Sequence, residues 1–253
     1  MDTINKKNFI YYVPAFLVFS YLLGFVLGED STGGAYDDFF THLKTSKEIK
    51  NNYLFFLLNY DEYGNAHSPI IITIFNLFNA ADNPIIIRLF SLVSSLLIPI
   101  LFFKCLEQKF GSKNKLVYVY LSCFIFVSPY FRSLAFWPGS ENLAIIFFLF
   151  SIYFYLKALK NINKNSELKY IFLNIFFIAF ASYIRPIYCL FSLFFFYKLI
   201  LNNYNYKNFI YYLIFNIILS APAIYYIFYL EVYFFNILIN SNINFITKIG
   251  LSY

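Results

Sequence analysis

Long apolar blocks alternate with short polar segments along the chain, and none of the blocks shows the period-2 alternation of a β-strand. Seven blocks cover residues 9–27, 84–103, 116–131, 143–156, 170–184, 187–201 and 209–230. Each is close to the ~20 residues that a helix needs to cross a bilayer. The pattern predicts an all-α, polytopic transmembrane bundle with about seven spans.

The segment 29–83 separates the first two blocks and is long for a connection within a bundle, so we expect it to carry function. The glycine pair at 33–34 predicts a turn. A shorter apolar stretch, residues 69–78, cannot span a bilayer and is predicted to lie at the membrane interface. This segment is the predicted first outer loop, with amphipathic helices in it.

An amphipathic helix is predicted in this loop from Asp37 onward. Phe39, Phe40 and Leu43 form its apolar side. The lysines expected to face water are Lys44, Lys47 and Lys50.

The composition excludes an ordinary soluble domain. Of 253 residues, 60% are hydrophobic and 13% are charged, against roughly 25% charged in an average soluble domain. The first apolar block follows two lysines but has no small-residue cleavage site, so it is predicted to be an uncleaved anchor. Cys105, Cys123 and Cys189 have no metal-binding spacing and are predicted to be small buried hydrophobes.

The charged residues orient the predicted bundle. With a cytoplasmic N-terminus, the cytoplasmic segments hold twelve of the nineteen basic residues, and the outer side holds ten of the thirteen acidic ones. This is the positive-inside arrangement, and it accounts for the net charge of +6 without a nucleic-acid partner. The absence of Asn-x-Ser/Thr sequons agrees with a bacterial inner membrane. We therefore expect a multi-pass inner-membrane protein surrounded by lipid.

All three arginines, Arg88, Arg132 and Arg185, fall at predicted outer ends of spans. An arginine at membrane depth costs ~2.5 to 3.5 kcal/mol on insertion scales and usually has a partner. Guanidinium groups also bind phosphate and carboxylate in a forked geometry. Two interpretations stay open: the arginines line one anion site, or each pairs with a local carboxylate or with lipid headgroups.

Two adjacent carboxylates, Asp37 and Asp38, lie in the first turn of the predicted loop helix. Negative charge at a helix N-terminus is stabilising by itself. A carboxylate could also act as a general base for a hydroxyl nucleophile. Asp38 and His42 are four residues apart and share a helix face. With His67 these residues could bind zinc or manganese, but no compact ligand spacing supports a metal, and no cofactor is predicted.

Several short motifs follow one another in a recognisable order. They are Asp37-Asp38, His67-Ser68-Pro69, Asn83-Pro84 to Arg88, Ser128-Pro129-Tyr130-Phe131-Arg132 to Ser140-Glu141-Asn142-Leu143, and Tyr183-Ile184-Arg185-Pro186. This layout resembles the GT-C superfamily of membrane glycosyltransferases, which includes enzymes of the protein mannosyltransferase and aminoarabinose transferase type. The likeness covers nearly the whole chain in layout and about twenty residues in motif.

The resemblance implies a single transmembrane domain over residues 1–253 and a polyprenyl-phosphate-linked sugar donor. The acceptor would be a lipid, a glycan or a protein on the non-cytoplasmic side, and the anomeric configuration would invert. It implies that Asp37 is the base, that Asp38 positions the acceptor or a metal, and that Glu141 faces Asp37. The residues implied to bind substrate are Arg88, Arg132, Arg185, Glu141, His67 and His42.

Two other functions stay open: a lipid-sugar transporter or flippase, and a non-catalytic subunit of a cell-envelope complex. A transporter predicts ionisable groups near the bilayer midplane, whereas here they lie at span ends. GT-C enzymes usually have at least eight spans, and this chain ends after seven. A fragment, a truncated gene and a minimal member of the superfamily are all compatible with that length.

Overall fold

The computed structural model describes residues 2–31, 34–50, 52–60, 68–161, 167–202 and 206–225. Within these ranges all regular secondary structure is helical, as the apolar blocks predict. The helices are α1 (Asp2–Leu27), α2 (Ala35–Ile49), α3 (Tyr53–Leu58), α4 (Pro69–Leu77), α5 (Pro84–Ser95), α6 (Leu97–Phe110), α7 (Lys115–Cys123), α8 (Pro129–Phe136), α9 (Glu141–Lys160), α10 (Glu167–Ile184), α11 (Cys189–Asn202) and α12 (Tyr206–Ile224). Short 3-10 helices follow α7 (Phe124–Val127) and precede α11 (Pro186–Tyr188).

Four helical stretches among the described residues are long and apolar enough to cross a membrane. They are Pro84–Phe110, which joins α5 and α6, Glu141–Lys160, Glu167–Ile184 and Tyr206–Ile224. The bent pair Lys115–Val127 and Pro129–Phe136 is a fifth candidate if the two helices together form one span. The first and sixth predicted blocks form shorter apolar helices, Tyr12–Leu27 and Pro186–Leu199. The described part of the chain thus has four or five candidate spans, whereas the whole sequence predicts seven.

The third apolar block is interrupted at Ser128. The backbone leaves the helical region there (ψ 116°), and Pro129 is the first residue of α8. The Ser128 hydroxyl accepts a hydrogen bond from the backbone N–H of Phe131 at 3.3 Å, so it caps the new helix. Lys115–Val127 and Pro129–Phe136 therefore meet at 69°. The block predicted as one span consists of two helices.

Helices α9 and α10 form an antiparallel pair with the most extensive contact in the bundle. The Asn174 side chain is fully buried between them and donates to the Ser151 carbonyl at 3.0 Å and to its hydroxyl at 2.8 Å. On the other side, α6 packs on α9, and the buried Cys105 thiol donates to the Leu149 carbonyl. Cys189 is exposed, so the prediction that all three cysteines are buried is wrong.

The loop helices α2 and α4 pack against each other. Phe39 and Leu43 of α2 are buried, and Lys44 and Lys47 face solvent, as the pattern predicts. Phe40 is 45% exposed, so it does not belong to the apolar side. It lies four residues after Tyr36, and its ring packs on the Tyr36 ring rather than on α4 (centroids 4.6 Å apart).

The three arginines lie at the same end of the bundle. Glu141 at the start of α9 pairs with Arg185 just after α10. Arg88 Nε donates to the carbonyl of Phe136, which ends α8 shortly before α9, at 2.9 Å. Arg132 lies in α8 itself. The three arginines therefore share one end, called the arginine end below. The opposite end of α9 carries Lys157 and Lys160.

Candidate functional site

The polypeptide turns sharply at the arginine end where α1 stops. Gly28 has φ +67°, a left-handed conformation that glycine adopts without strain. Its N–H bonds to the Phe25 carbonyl at 3.1 Å, and the Glu29 N–H bonds to the Gly24 carbonyl at 2.9 Å. These two bonds form a Schellman motif, which ends the helix and directs the next residue back toward it. The Glu29 side chain is thereby placed against the bundle.

Glu29 forms an ion pair with Arg132 that also involves a second nitrogen of the guanidinium group. The remaining Arg132 donors bond to the hydroxyl and carbonyl of Ser20, both at 3.1 Å, and to the Phe126 carbonyl at 3.4 Å. Burial disfavours the charged form of Glu29, but the hydrogen bonds from Arg132 and Ser31 outweigh it and lower the pKa of this carboxyl. The guanidinium of Arg132 is therefore fully engaged with protein acceptors.

The close approach of this pair to α1 depends on Gly24. A Cβ at that position would overlap Glu29 Oε2 and Arg132 Nη2, and it would lie 3.0 Å from a ring carbon of Phe136. Glycine at this position lets the ends of the two ion-paired side chains lie directly on the helix backbone.

Arg88 lies beside this pair, on Trp137. Its guanidinium carbon is 3.9 Å from the centroid of the Trp137 ring, close enough for a cation–π contact. The Trp137 Nε1 donates to the Glu29 carbonyl at 3.1 Å, which joins the two groups into one cluster. Apart from its Nε, the donors of Arg88 have no hydrogen-bond partner among the described residues.

A second ion pair joins Glu141 to Arg185. Glu141 therefore pairs with Arg185, whereas Arg132 pairs with Glu29. Arg185 is less enclosed than Arg132, with 34% of its side chain exposed. Its Nε is buried and has no hydrogen-bond partner in the described part of the chain.

Asp37 and Asp38 occupy the first turn of α2, as predicted, and both are exposed. Within the described ranges, neither carboxylate has an ion pair or a hydrogen bond to an arginine. The link between α2 and the cluster is aromatic, because the Tyr36 ring packs edge-on against Trp137 with centroids 4.7 Å apart. The assignment of Asp37 as a base stays a prediction.

Of the two histidines, the structure describes His42 only. His42 is 1% exposed and packs edge-on against Phe75, with ring centroids 5.5 Å apart. On the helix face that Asp38 and His42 are predicted to share, Asp38 is exposed to solvent and His42 is buried in the core. His67 lies outside the described residues. The described ranges contain no group of three or more His, Cys, Asp or Glu side chains arranged to hold a metal ion.

An apolar cavity of about 410 Å³ lies between α3 and α4 on one side and α10 to α12 on the other. Its lining includes Tyr53, Ser68, Pro69, Tyr183, Pro186 and Cys189. Ser68 and Pro69 belong to one predicted motif, and Tyr183 and Pro186 flank Arg185 in another. The sequence could not reveal the contributions of Tyr53 and Cys189, because neither belongs to a motif.

The chain matches no protein-family model, no curated protein and no solved structure. The resemblance to GT-C enzymes therefore depends on the motifs alone. The function has to be argued from the chemistry of the arginine end and of the cavity beside it.

Proposed function

We propose that this protein is a membrane glycosyltransferase that moves a sugar from a polyprenyl-phosphate-linked donor to an acceptor hydroxyl. The acceptor belongs to a lipid, a glycan or a protein. In this proposal the arginine end faces the non-cytoplasmic side of a bacterial inner membrane. The N-terminus is cytoplasmic, and all seven apolar blocks cross or enter the bilayer.

The observation that carries the proposal is an apolar cavity whose lining includes Tyr183 and Pro186, which flank in sequence a cation with an unused donor, Arg185. The cavity is within the usual size range of ligand pockets, roughly 300 to 1,000 Å³, and could take part of an isoprenoid chain. Arg185 lies in sequence between the lining residues Tyr183 and Pro186, and its Nε has no partner. A lipid with an anionic phosphate headgroup matches both features.

The proposed reaction is a single displacement. Asp37 takes the proton of the acceptor hydroxyl, and the acceptor oxygen bonds to the anomeric carbon on the face opposite the phosphate. The bond from the anomeric carbon to the phosphate oxygen breaks, and its electron pair stays on that oxygen. Arg88 and Arg185, which keep free donors, stabilise the departing phosphate. The products are an inverted glycoside and the polyprenyl phosphate.

A second candidate is a non-catalytic subunit of a cell-envelope complex. The saturation of Arg132 by Glu29, Ser20 and Phe126 favours it, because a fully paired arginine stabilises a scaffold without binding a ligand. The transporter alternative gains no comparable support.

The direct test is sugar transfer from a radiolabelled polyprenyl-phosphate donor by the purified protein in lipid nanodiscs. Loss of a general base typically costs 10² to 10⁴ in rate, so Asp37→Asn should lower transfer by at least ~100-fold. Glu48→Gln is the matched control, because Glu48 is an exposed carboxylate on the same helix. It should keep the wild-type rate.

Two outcomes contradict the proposal. Undiminished transfer by Asp37→Asn removes the proposed base. Absence of transfer by the wild-type protein with every acceptor class refutes the enzyme and leaves the scaffold.

A further inference from the structure

We propose that the N-terminus of α9 is a phosphate-binding site in which the Glu141 carboxylate occupies the anion position until a phosphate group displaces it. This inference rests on the proposed function and concerns the same arginine end of the bundle. Its new elements are Ser140 as a phosphate ligand and Glu141 as an internal competitor.

The first support is a pair of buried donors without acceptors. Ser140 is 1% exposed, and neither its Oγ nor the Nε of Arg185 has a hydrogen-bond partner in the described part of the chain. A buried polar group without a partner is unusual and costly. Both groups adjoin Glu141, Ser140 in sequence and Arg185 through the ion pair. An acceptor group at this point would satisfy them.

The second support is the helix terminus. Ser140 is the N-cap of α9, a helix of 20 residues, and its side chain makes no capping hydrogen bond. The first N–H groups of such a helix carry partial positive charge and attract anions. The neighbouring Asn142 side chain is turned away and donates to the Phe131 carbonyl at 3.2 Å. The serine hydroxyl is thus left available to a ligand.

The third support is the way Glu141 is accommodated. A Cβ on Gly139 would lie 2.7 Å from Glu141 Oε2 and 3.0 Å from a methyl carbon of Leu134. Gly139 therefore gives the carboxylate the space it needs to fold back over the helix start.

Glu141 is also able to leave. Its side chain is 18% exposed, and that of Arg185 is 34% exposed, so the pair is open to water on one side. Phosphate offers more acceptor oxygens than a carboxylate and matches the guanidinium fork equally well. A phosphate group can then bond to Arg185 and Ser140 at once, which Glu141 does not do.

The experiment measures binding of radiolabelled polyprenyl phosphate to the purified protein in nanodiscs, with inorganic phosphate as a competitor. Glu141→Gln removes the internal anion, whereas Gly139→Ala pushes the carboxylate aside and keeps the net charge. Each should lower the Kd about tenfold. Ser140→Ala should raise it about tenfold, the size expected for one hydrogen bond to a charged group. Glu48→Gln removes a distant exposed charge and should leave the Kd unchanged.

The outcomes separate the possibilities. Lower Kd values for both Glu141→Gln and Gly139→Ala support the internal competitor, and unchanged or higher values for both overturn it. A lower Kd for Glu141→Gln alone indicates general electrostatic repulsion and also overturns it. Competition by inorganic phosphate at micromolar concentration identifies free phosphate as the ligand, whereas its failure identifies the lipid headgroup. Affinity changes of the expected sign in a protein that transfers no sugar keep this site and refute the proposed function.

Discussion

At Gly24 the surface of α1 lies directly under the ion pair of Glu29 and Arg132. The two partners are 103 residues apart in sequence. The sequence allows each arginine to pair with a local carboxylate, because an arginine at membrane depth usually has a partner. It could not identify Glu29 as the partner, because the pairing depends on how α1 and α8 meet and on the turn at Gly28.

Replacing Gly24 tests this arrangement. A methyl group in Gly24→Ala would overlap the ion pair, so we expect a loss of about 1 to 3 kcal/mol in the free energy of unfolding, the usual cost of overpacking. The control is Gly34→Ala, because a Cβ on Gly34 meets nothing within 4 Å. Thermal unfolding in nanodiscs measures both. A similar loss in the two variants would contradict the tight approach at Gly24.

For single helices, the periodicity of apolar residues predicts which side chains are buried better than it predicts where a helix begins or ends. The pattern of α2 correctly predicts a buried Phe39 and exposed lysines. It misplaces Phe40, because α2 has only one packed side, and an aromatic side chain at its edge can pack on Tyr36 of the same helix. The apolar block 116–131 contains a helix break that hydropathy does not predict, because the break depends on the hydrogen bond by which Ser128 caps α8.

The break between α7 and α8 gives a prediction at this scale. Ser128→Ala removes the hydrogen bond to the Phe131 N–H, and the loss of such a cap costs about 1 kcal/mol. Ser220→Ala is the control, since the Ser220 hydroxyl is exposed and bonds only to the Ile217 carbonyl within its own helix. Thermal unfolding should separate the two variants. Equal stability would mean that Pro129 alone fixes the start of α8.

At the scale of the whole molecule, the sequence predicts an all-helical membrane protein and puts the arginines together at one end. In the described residues the regular structure is helical, four or five helical stretches are long and apolar enough to span a membrane, and the three arginines share one end. Among the described residues, Asp37 makes no ion pair or hydrogen bond with the three arginines. The arginines belong to two separate ion pairs and one aromatic contact, and Asp37 is exposed on α2. Sequence separation gives no information about such groupings, because they depend on the packing of helices against one another.

If the cavity lined by Tyr183 and Pro186 holds the isoprenoid chain of a lipid phosphate, the lipid should cover Cys189, which also lines it. Cys105→Ser and Cys123→Ser leave Cys189 as the single thiol. The measurement is the rate of its reaction with N-ethylmaleimide in nanodiscs, with and without polyprenyl phosphate. We expect the lipid to slow the reaction at least about fivefold and Arg185→Gln to abolish this protection, because a charge-assisted contact holds the headgroup. An unchanged reaction rate at saturating polyprenyl phosphate would contradict the presence of the isoprenoid chain in this cavity.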